Sequence, residues 1–298
     1  MKKTLFSLAL CLGLAATVCR AQTLSPKWED LTSADFVKGI QKAGGVCLLP
    51  MGSIEKFGPS APLGTNVYLA RAISVEAAKQ EYVVIFPDYF VANTTSTSNL
   101  PGTISYSMDT QLRFLDETTR EMARNGCKKI ILGNGHSGNM PLISLYMGTF
   151  AATPRDYAVY SIYVSGFPVN DLAQLPPAAR PSKPGADGHG GEERVAAMLA
   201  FYPELIHLDR AHSEPSQPGH GAEDRNNPPP NGAMTRIETG YSGDASGATA
   251  ARGQALVQFA VDKLVKFIQS VKADQATLGM QKAFYDQTQA PANPTPGK

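Results

Sequence analysis

Four short apolar runs, over residues 46–51, 82–86, 129–132 and 157–164, alternate with stretches whose apolar residues recur at helical spacing, and the links between them are short. This alternation constrains the fold more than any other feature. A strand that is apolar on both faces must be covered on both, and strands joined by helices return the chain to the same end and so pair in parallel. The helical stretches are a segment capped by Thr32-Ser33 with Phe36, Val37 and Ile40 on one side and Gly44-Gly45 at its end; 67–80, with Leu69, Ile73 and Ala77; a segment capped by Asp109 that carries Leu112, Leu115 and Met122 to Asn125-Gly126; one reaching about Phe150; one through Ala197, Met198 and Phe201 to Pro203; and a last one over about 248–271. The expected fold is α/β, a mostly parallel sheet with helices on both faces, and such sheets bind ligands beyond the carboxyl ends of their strands.

The amino end reads Met1-Lys2-Lys3, an apolar run from Leu5 to Val18, and Cys19-Arg20-Ala21 before Gln22, the three-part pattern of a secretory signal peptide. Residues 1–21 are therefore expected to be removed, leaving a domain over 22–271 and, from 272 to 298, a frayed helix and Pro-containing tail, in a protein exported to the periplasm or secreted. Without residues 1–21 the balance is 24 basic against 26 acidic residues, which gives no basic footprint for nucleic acid, and no further apolar run is long enough to span a membrane. Cys47 and Cys127 then remain, each in or beside a strand, and are expected to be buried core thiols rather than a disulfide.

Chemistry is expected where the strands empty into Gly-rich loops. The first apolar run leads into Gly52 to Asn66, a long loop carrying Glu55 and Lys56; the third leads into Gly133-Asn134-Gly135-His136-Ser137-Gly138-Asn139; and Asp187-Gly188-His189-Gly190-Gly191-Glu192-Glu193-Arg194 opens a helix. Asp88 to Tyr106 is polar and irregular, as a segment overhanging a pocket is. Imidazoles and carboxylates on one sheet edge are a ligand set for Zn2+ or Mn2+, and equally a set of hydrogen-bonded structural groups, since no single spacing here is diagnostic. The G-x-G-x-x-G match around His136 argues little for a dinucleotide, because no acid ends the next strand. Ser53 and Ser137 lie outside any G-x-S-x-G elbow.

Five blocks in order, Gly52-Ser53-Ile54-Glu55 with Gly58-Pro59 and Pro62-Leu63-Gly64-Thr65, Pro101-Gly102-Thr103-Ile104-Ser105, Asn134-Gly135-His136-Ser137-Gly138-Asn139, His189 before Ala197-Met198-Leu199, and Gly243-Asp244, resemble the creatininase (creatinine amidohydrolase) family over about residues 46–268. The resemblance implies a three-layer α/β/α sandwich, frequent assembly into hexamers, and a two-metal site that hydrolyses amide or cyclic amide bonds. The carry-over is partial. Phe57 and Ser60 stand where the family has histidines, Asn66 where it has the Asp that bridges the metals, Gly138 where creatininase has a carboxylate, and Arg194 where it has a Glu.

These departures fall on the second metal, whose site is expected to be lost. What the resemblance leaves is one divalent cation, Zn or Mn, on Glu55, His136 and Asn66; His189, with Glu192 or Glu193, for proton transfer; and Arg194, Ser137, Asn139 and Asp244 for a small-molecule substrate. The expected function is a secreted hydrolase of an amide, cyclic amide or related small polar substrate, and the resemblance implies a homo-oligomer. The alternatives are a weak or inactive relative that binds a sugar or cyclitol derivative or serves in an assembly, and a metal-free enzyme in which Arg194 and His189 bind an anionic substrate and move protons.

Overall fold

A computed structural model describes residues 24–165, 173–217 and 239–291. The expected signal peptide lies outside the described residues, as do parts of the Pro-rich excursion after Ser165 and of the loop over 209–233.

Strands β1 (Val46–Met51), β2 (Val84–Ile85), β3 (Lys129–Asn134) and β4 (Ala158–Tyr163) form one parallel sheet in the order β2-β1-β3-β4. The expected α/β class is thus present, with β2 shorter than its apolar run. Helices α1 (Ser33–Lys42), α2 (Thr65–Gln80), α3 (Met108–Arg124), α4 (Met140–Ala152), α5 (Glu192–Phe201), α6 (Ala250–Ala273) and α7 (Thr277–Gln289) surround it.

Alternate residues of the central strands explain the layering. Val46 and Leu48 of β1 and Ile131 of β3 face a cluster made with α2, α5 and α6, whereas Cys47, Leu49, Met51, Ile130 and Leu132 face another made with α1, α3 and α4. Every residue of β1 is buried, as a strand covered on both faces requires. Gly126 turns the chain out of α3 with φ of 103°, a backbone state that a side chain would resist, and delivers it to β3.

Three expectations are corrected. Cys47 and Cys127 form a disulfide, with Cα atoms 5.6 Å apart, rather than two free thiols. The cause is tertiary: the turn after α3 lays Cys127 beside the start of β1, with the Lys128 and Lys129 amides both donating to the Gly45 carbonyl. Helix α3 begins at Met108, so Asp109 lies inside its first turn and Ser107 takes the cap position. The helix expected to fray beyond Lys272 is instead the 13-residue α7, tied down at its start and flank. Asp274 accepts from the Ala276 and Thr277 amides at its start, and Gln281 donates to the Arg155 and Tyr157 carbonyls beside β4.

Candidate functional site

β1 and β3 lie side by side, Met51 paired with Asn134, so the two Gly-rich loops leave the sheet together. Chain order reverses here, with β2 on the far side of β1 and β4 on the far side of β3, and a crevice at such a reversal is where α/β sheets hold ligands. Glu55 and His136 meet at this point. The Glu55 carboxylate is 1% exposed, and its Oε1 lies 3.0 Å from His136 Nδ1.

The surrounding groups were chosen by the fold rather than by any sequence motif. Ser53 Oγ donates to Glu55 Oε1 (2.9 Å), as does Asn66 Nδ2 (3.0 Å), while Thr97 Oγ1 donates to Oε2 (3.2 Å). Asn66 also donates to Ser53 Oγ at 2.8 Å. His136 Nε2 lies 3.0 Å from the Asn93 carbonyl, so the irregular segment after β2 closes over the pair and supplies partners to both its members. Gly138 is what permits this: a Cβ there would stand 2.3 Å from His136 Nε2 and 2.5 Å from the Asn93 oxygen. Only glycine leaves room for that hydrogen bond.

Burial opposes the charge on Glu55, but the charge and hydrogen bond of His136, with His189 and Ser53, outweigh it and hold the carboxyl at about 2. For His136, burial works downward, yet the facing Glu55 charge and hydrogen bond leave the imidazole above its usual value. The two therefore stand as an ion pair in the protein alone.

His189 enters from the loop before α5. That loop crosses the first one closely: Gly190 has φ of 77°, and a Cβ on it would stand 2.7 Å from the Gly58 nitrogen. The His189 amide donates to Ser242 Oγ (2.8 Å), its ring rests 4.3 Å from the ring of Phe57, and Nε2 sits 3.0 Å from the Lys56 carbonyl and 3.9 Å from Glu55 Oε2. A carbonyl only accepts, so Nε2 carries the proton and Nδ1 keeps its lone pair. Burial pushes the His189 pKa below its usual value, which favours this neutral form.

The fold does not bring all the sequence candidates together. Glu192 is buried away from the pair, its carboxylate accepting from the Ser182 amide and hydroxyl and lying 3.3 Å from Arg252 Nη1. Asp244 accepts from the Ser246 amide and pairs with Lys183 at 2.6 Å. Asn139 braces the His136 turn, taking the Asn93 amide on Oδ1 and donating to Asn134 Oδ1. Ser137 is exposed. Arg194 is buried and reaches the cluster, and Glu193 Oε1 lies 4.0 Å from its Nε. Ser53, Thr97, Ser165 and the Asn93 carbonyl are site members that sequence reasoning did not assign; Ser165 and residues 93–97 carried only the signal of polar loops leaving a sheet.

Among the described residues, no group of three or more His, Cys, Asp or Glu side chains is placed to hold a metal ion. The donors that converge are one carboxylate, one imidazole and one amide, of Glu55, His136 and Asn66, with contacts of 3.0 to 3.4 Å among them. Their surroundings fit one divalent cation. The Nε2 of His136 is committed to a backbone carbonyl, which turns Nδ1 toward Glu55 in the way that ligating imidazoles are held, and Asn66 Oδ1 is buried without a partner. Phe57, Gly138 and Arg194, at positions where the resemblance puts ligands, offer no lone pair to a second cation.

The family model described as creatinine amidohydrolase matches residues 29–268. A creatinine amidohydrolase of Pseudomonas putida is 26% identical over 196 residues, 62% of this chain and 75% of that protein. A mycofactocin precursor peptide peptidase of Mycobacterium tuberculosis is 25% identical over 232 residues, 74% of this chain and 82% of its own length. Among solved structures, a mutant creatininase of Zn-Zn type superposes with a TM-score of 0.67 at 22% identity, covering 83% of this chain and 98% of its own, a likeness of fold.

Proposed function

The chain belongs to the creatininase family of hydrolases, and from that membership we propose an exported enzyme that cleaves an amide, cyclic amide or related small polar substrate with one divalent metal ion. The observation that carries this reading is the neutral His189, its Nδ1 without a hydrogen bond among the described residues, set beside the buried Glu55–His136 pair at the carboxyl ends of β1 and β3. Glu55, His136 and Asn66 would hold the cation. When bound, it supplies Lewis acidity, polarising the scissile carbonyl and acidifying water. His189 Nδ1 takes the proton from the attacking water and returns it to the nitrogen as the C–N bond breaks, and Lys56 holds the ring in that tautomer through its carbonyl. The Phe57 ring beside His189 limits water around the base. The Cys47–Cys127 disulfide supports export, since such bonds persist in oxidising compartments.

Bound zinc and manganese per chain, measured on the mature protein purified without chelator, tests the metal. About one ion is expected, absent in His136→Ala, together with chelator-sensitive turnover of at least one amide, lactam or cyclic ketone in a panel. A wild-type chain that stays empty after metal supplementation sinks the reading.

The second reading is a weak or inactive relative that binds a sugar or cyclitol derivative. It is favoured by the closed network around Glu55, in which Ser53, Asn66, Thr97 and His136 occupy both oxygens. Assembly into a homo-oligomer is part of the proposal: α4 contains no charged residue, and its Met140, Leu145 and Met147 are exposed, a face suited to a second copy. Light scattering on the mature protein checks it.

A further inference from the structure

Two arginines are buried among the described residues, and they are treated very differently. Arg252, 5% exposed, is fully used: Nε donates to the Ala179 carbonyl, and Nη1 and Nη2 each donate at 2.8 Å to the two oxygens of Asp187. Arg194, 7% exposed, has one hydrogen bond among the described residues, from Nη1 to Ser165 Oγ at 2.6 Å, and that partner is neutral. Ser165 lies 3.3 Å from the Gly135 carbonyl, to which its own proton goes, so the serine holds the guanidinium in place against the His136 turn without neutralising it. The Glu193 carboxylate stays 4.0 Å from Nε, outside hydrogen-bond distance.

Among the described residues Nη2 makes no hydrogen bond and Nε faces only the Glu193 carboxylate at 4.0 Å. The central carbon of the guanidinium lies 6.0 Å from the Phe57 ring, the same ring that rests on His189, and its charge acts on Glu55, His136 and His189. Two parallel N–H groups on a buried plane match the two oxygens of a carboxylate. A dianion such as a phosphate monoester is disfavoured by Glu55 and Glu193 nearby. We propose that Arg194 is the substrate anchor and that the site takes a small amide or cyclic amide bearing a carboxylate, which docks on the Nε–Nη2 edge beside His189.

The proposal rests on reading the Glu55–His136–His189 cluster as a small-molecule site, and it is tested by binding rather than turnover. Matched pairs that differ only by the acid, pyroglutamate against 2-pyrrolidinone and hydantoin-5-acetate against hydantoin, are titrated into the purified mature protein, Arg194→Lys and Arg194→Gln by calorimetry and saturation-transfer NMR. The acid of at least one pair is expected to bind wild type about 10- to 100-fold tighter than its neutral partner. That preference should vanish in Arg194→Gln and fall to an intermediate value in Arg194→Lys, with the neutral members unchanged, which also reports that the variants are folded. A wild type that prefers no acid over its neutral partner, or a preference that survives Arg194→Gln, overturns the proposal. Turnover without acid preference removes the anchor and leaves the hydrolase, whereas acid preference without turnover does the reverse.

Discussion

The two ends of the sheet handle charge in opposite ways. Where β3 and β4 begin, a cleft of about 650 Å³ is lined by Arg120, Arg124, Lys128 and Arg155, and each has an acid beside it, in Asp116, Glu121 or Asp156. Most of these groups stand in water, where such pairs contribute about 0–1 kcal/mol each. Where β1 and β3 end, Glu55, His136, His189 and Arg194 are crowded into the interior, with a guanidinium whose one hydrogen bond among the described residues goes to a neutral serine and an imidazole held neutral. Exposed, paired charge marks the first end and buried charge marks the second. Perturbed groups at a strand-end crevice are the better guide to chemistry than the size of a cleft.

The contrast can be broken in a graded way. The largest effect belongs to the strand-end site: His189→Ala is expected to lower kcat by about 10²- to 10⁴-fold while leaving thermal stability nearly unchanged, read from steady-state kinetics and a melting curve. At the opposite end the effect should be on stability alone. Replacing Cys47 and Cys127 together by Ala removes a link across 80 residues and is expected to cost about 4 kcal/mol in urea unfolding, with KM unaltered. Loss of activity with stability retained in that double variant would erase the division between the ends.

Glu192 lies between these cases, close to the site in sequence and apart from it in space. Glu192→Ala leaves the Ser182 amide and hydroxyl without their buried acceptor, while Arg252 keeps Asp187, and should cost about 2 kcal/mol, with kcat/KM of the surviving folded protein unchanged. A drop in kcat without destabilisation would restore it to the catalytic set. The smallest effect is expected at Asp274, which lies far from the site and joins the Tyr160 hydroxyl, the Thr277 hydroxyl and the start of α7. Those hydrogen bonds, led by the one from Thr277, hold its pKa below the ordinary value of 3.8. Its contribution is therefore complete above about pH 4 and is lost as pH falls through the lower folded value. Asp274→Asn should flatten the acid limb of the melting temperature and change little at neutral pH.

Much of the fold was legible because its causes are local. Doubly apolar runs such as Val46–Met51 can only be central strands, and Gly44-Gly45 and Gly126 stop helices whatever surrounds them. The candidate site was legible in part: Glu55, His136 and His189 could be picked out as chemical residues at strand ends, whereas Glu192 and Glu193 looked alike. A single step along the chain separates their fates. Glu192 turns toward Ser182 and Arg252, and Glu193 stays beside Arg194, a choice made by packing that no spacing encodes. Helix α7 was expected only as a frayed one, because its polar start shows little amphipathic pattern, and its hold comes from Asp274 and from carbonyls near β4.

By itself the sequence determined the layer order, the parallel sheet and the residue types at the strand ends, because apolar periodicity and glycine act within a few residues of where they are written. Only the tertiary structure decided that Cys47 meets Cys127, that Thr97 and the Asn93 carbonyl close over Glu55 and His136, and that the one hydrogen bond of Arg194 among the described residues goes to a neutral serine. Those facts depend on burial and on contacts between segments distant in the chain, and charge and hydrogen bonding in an interior are set by which groups the folded chain brings there.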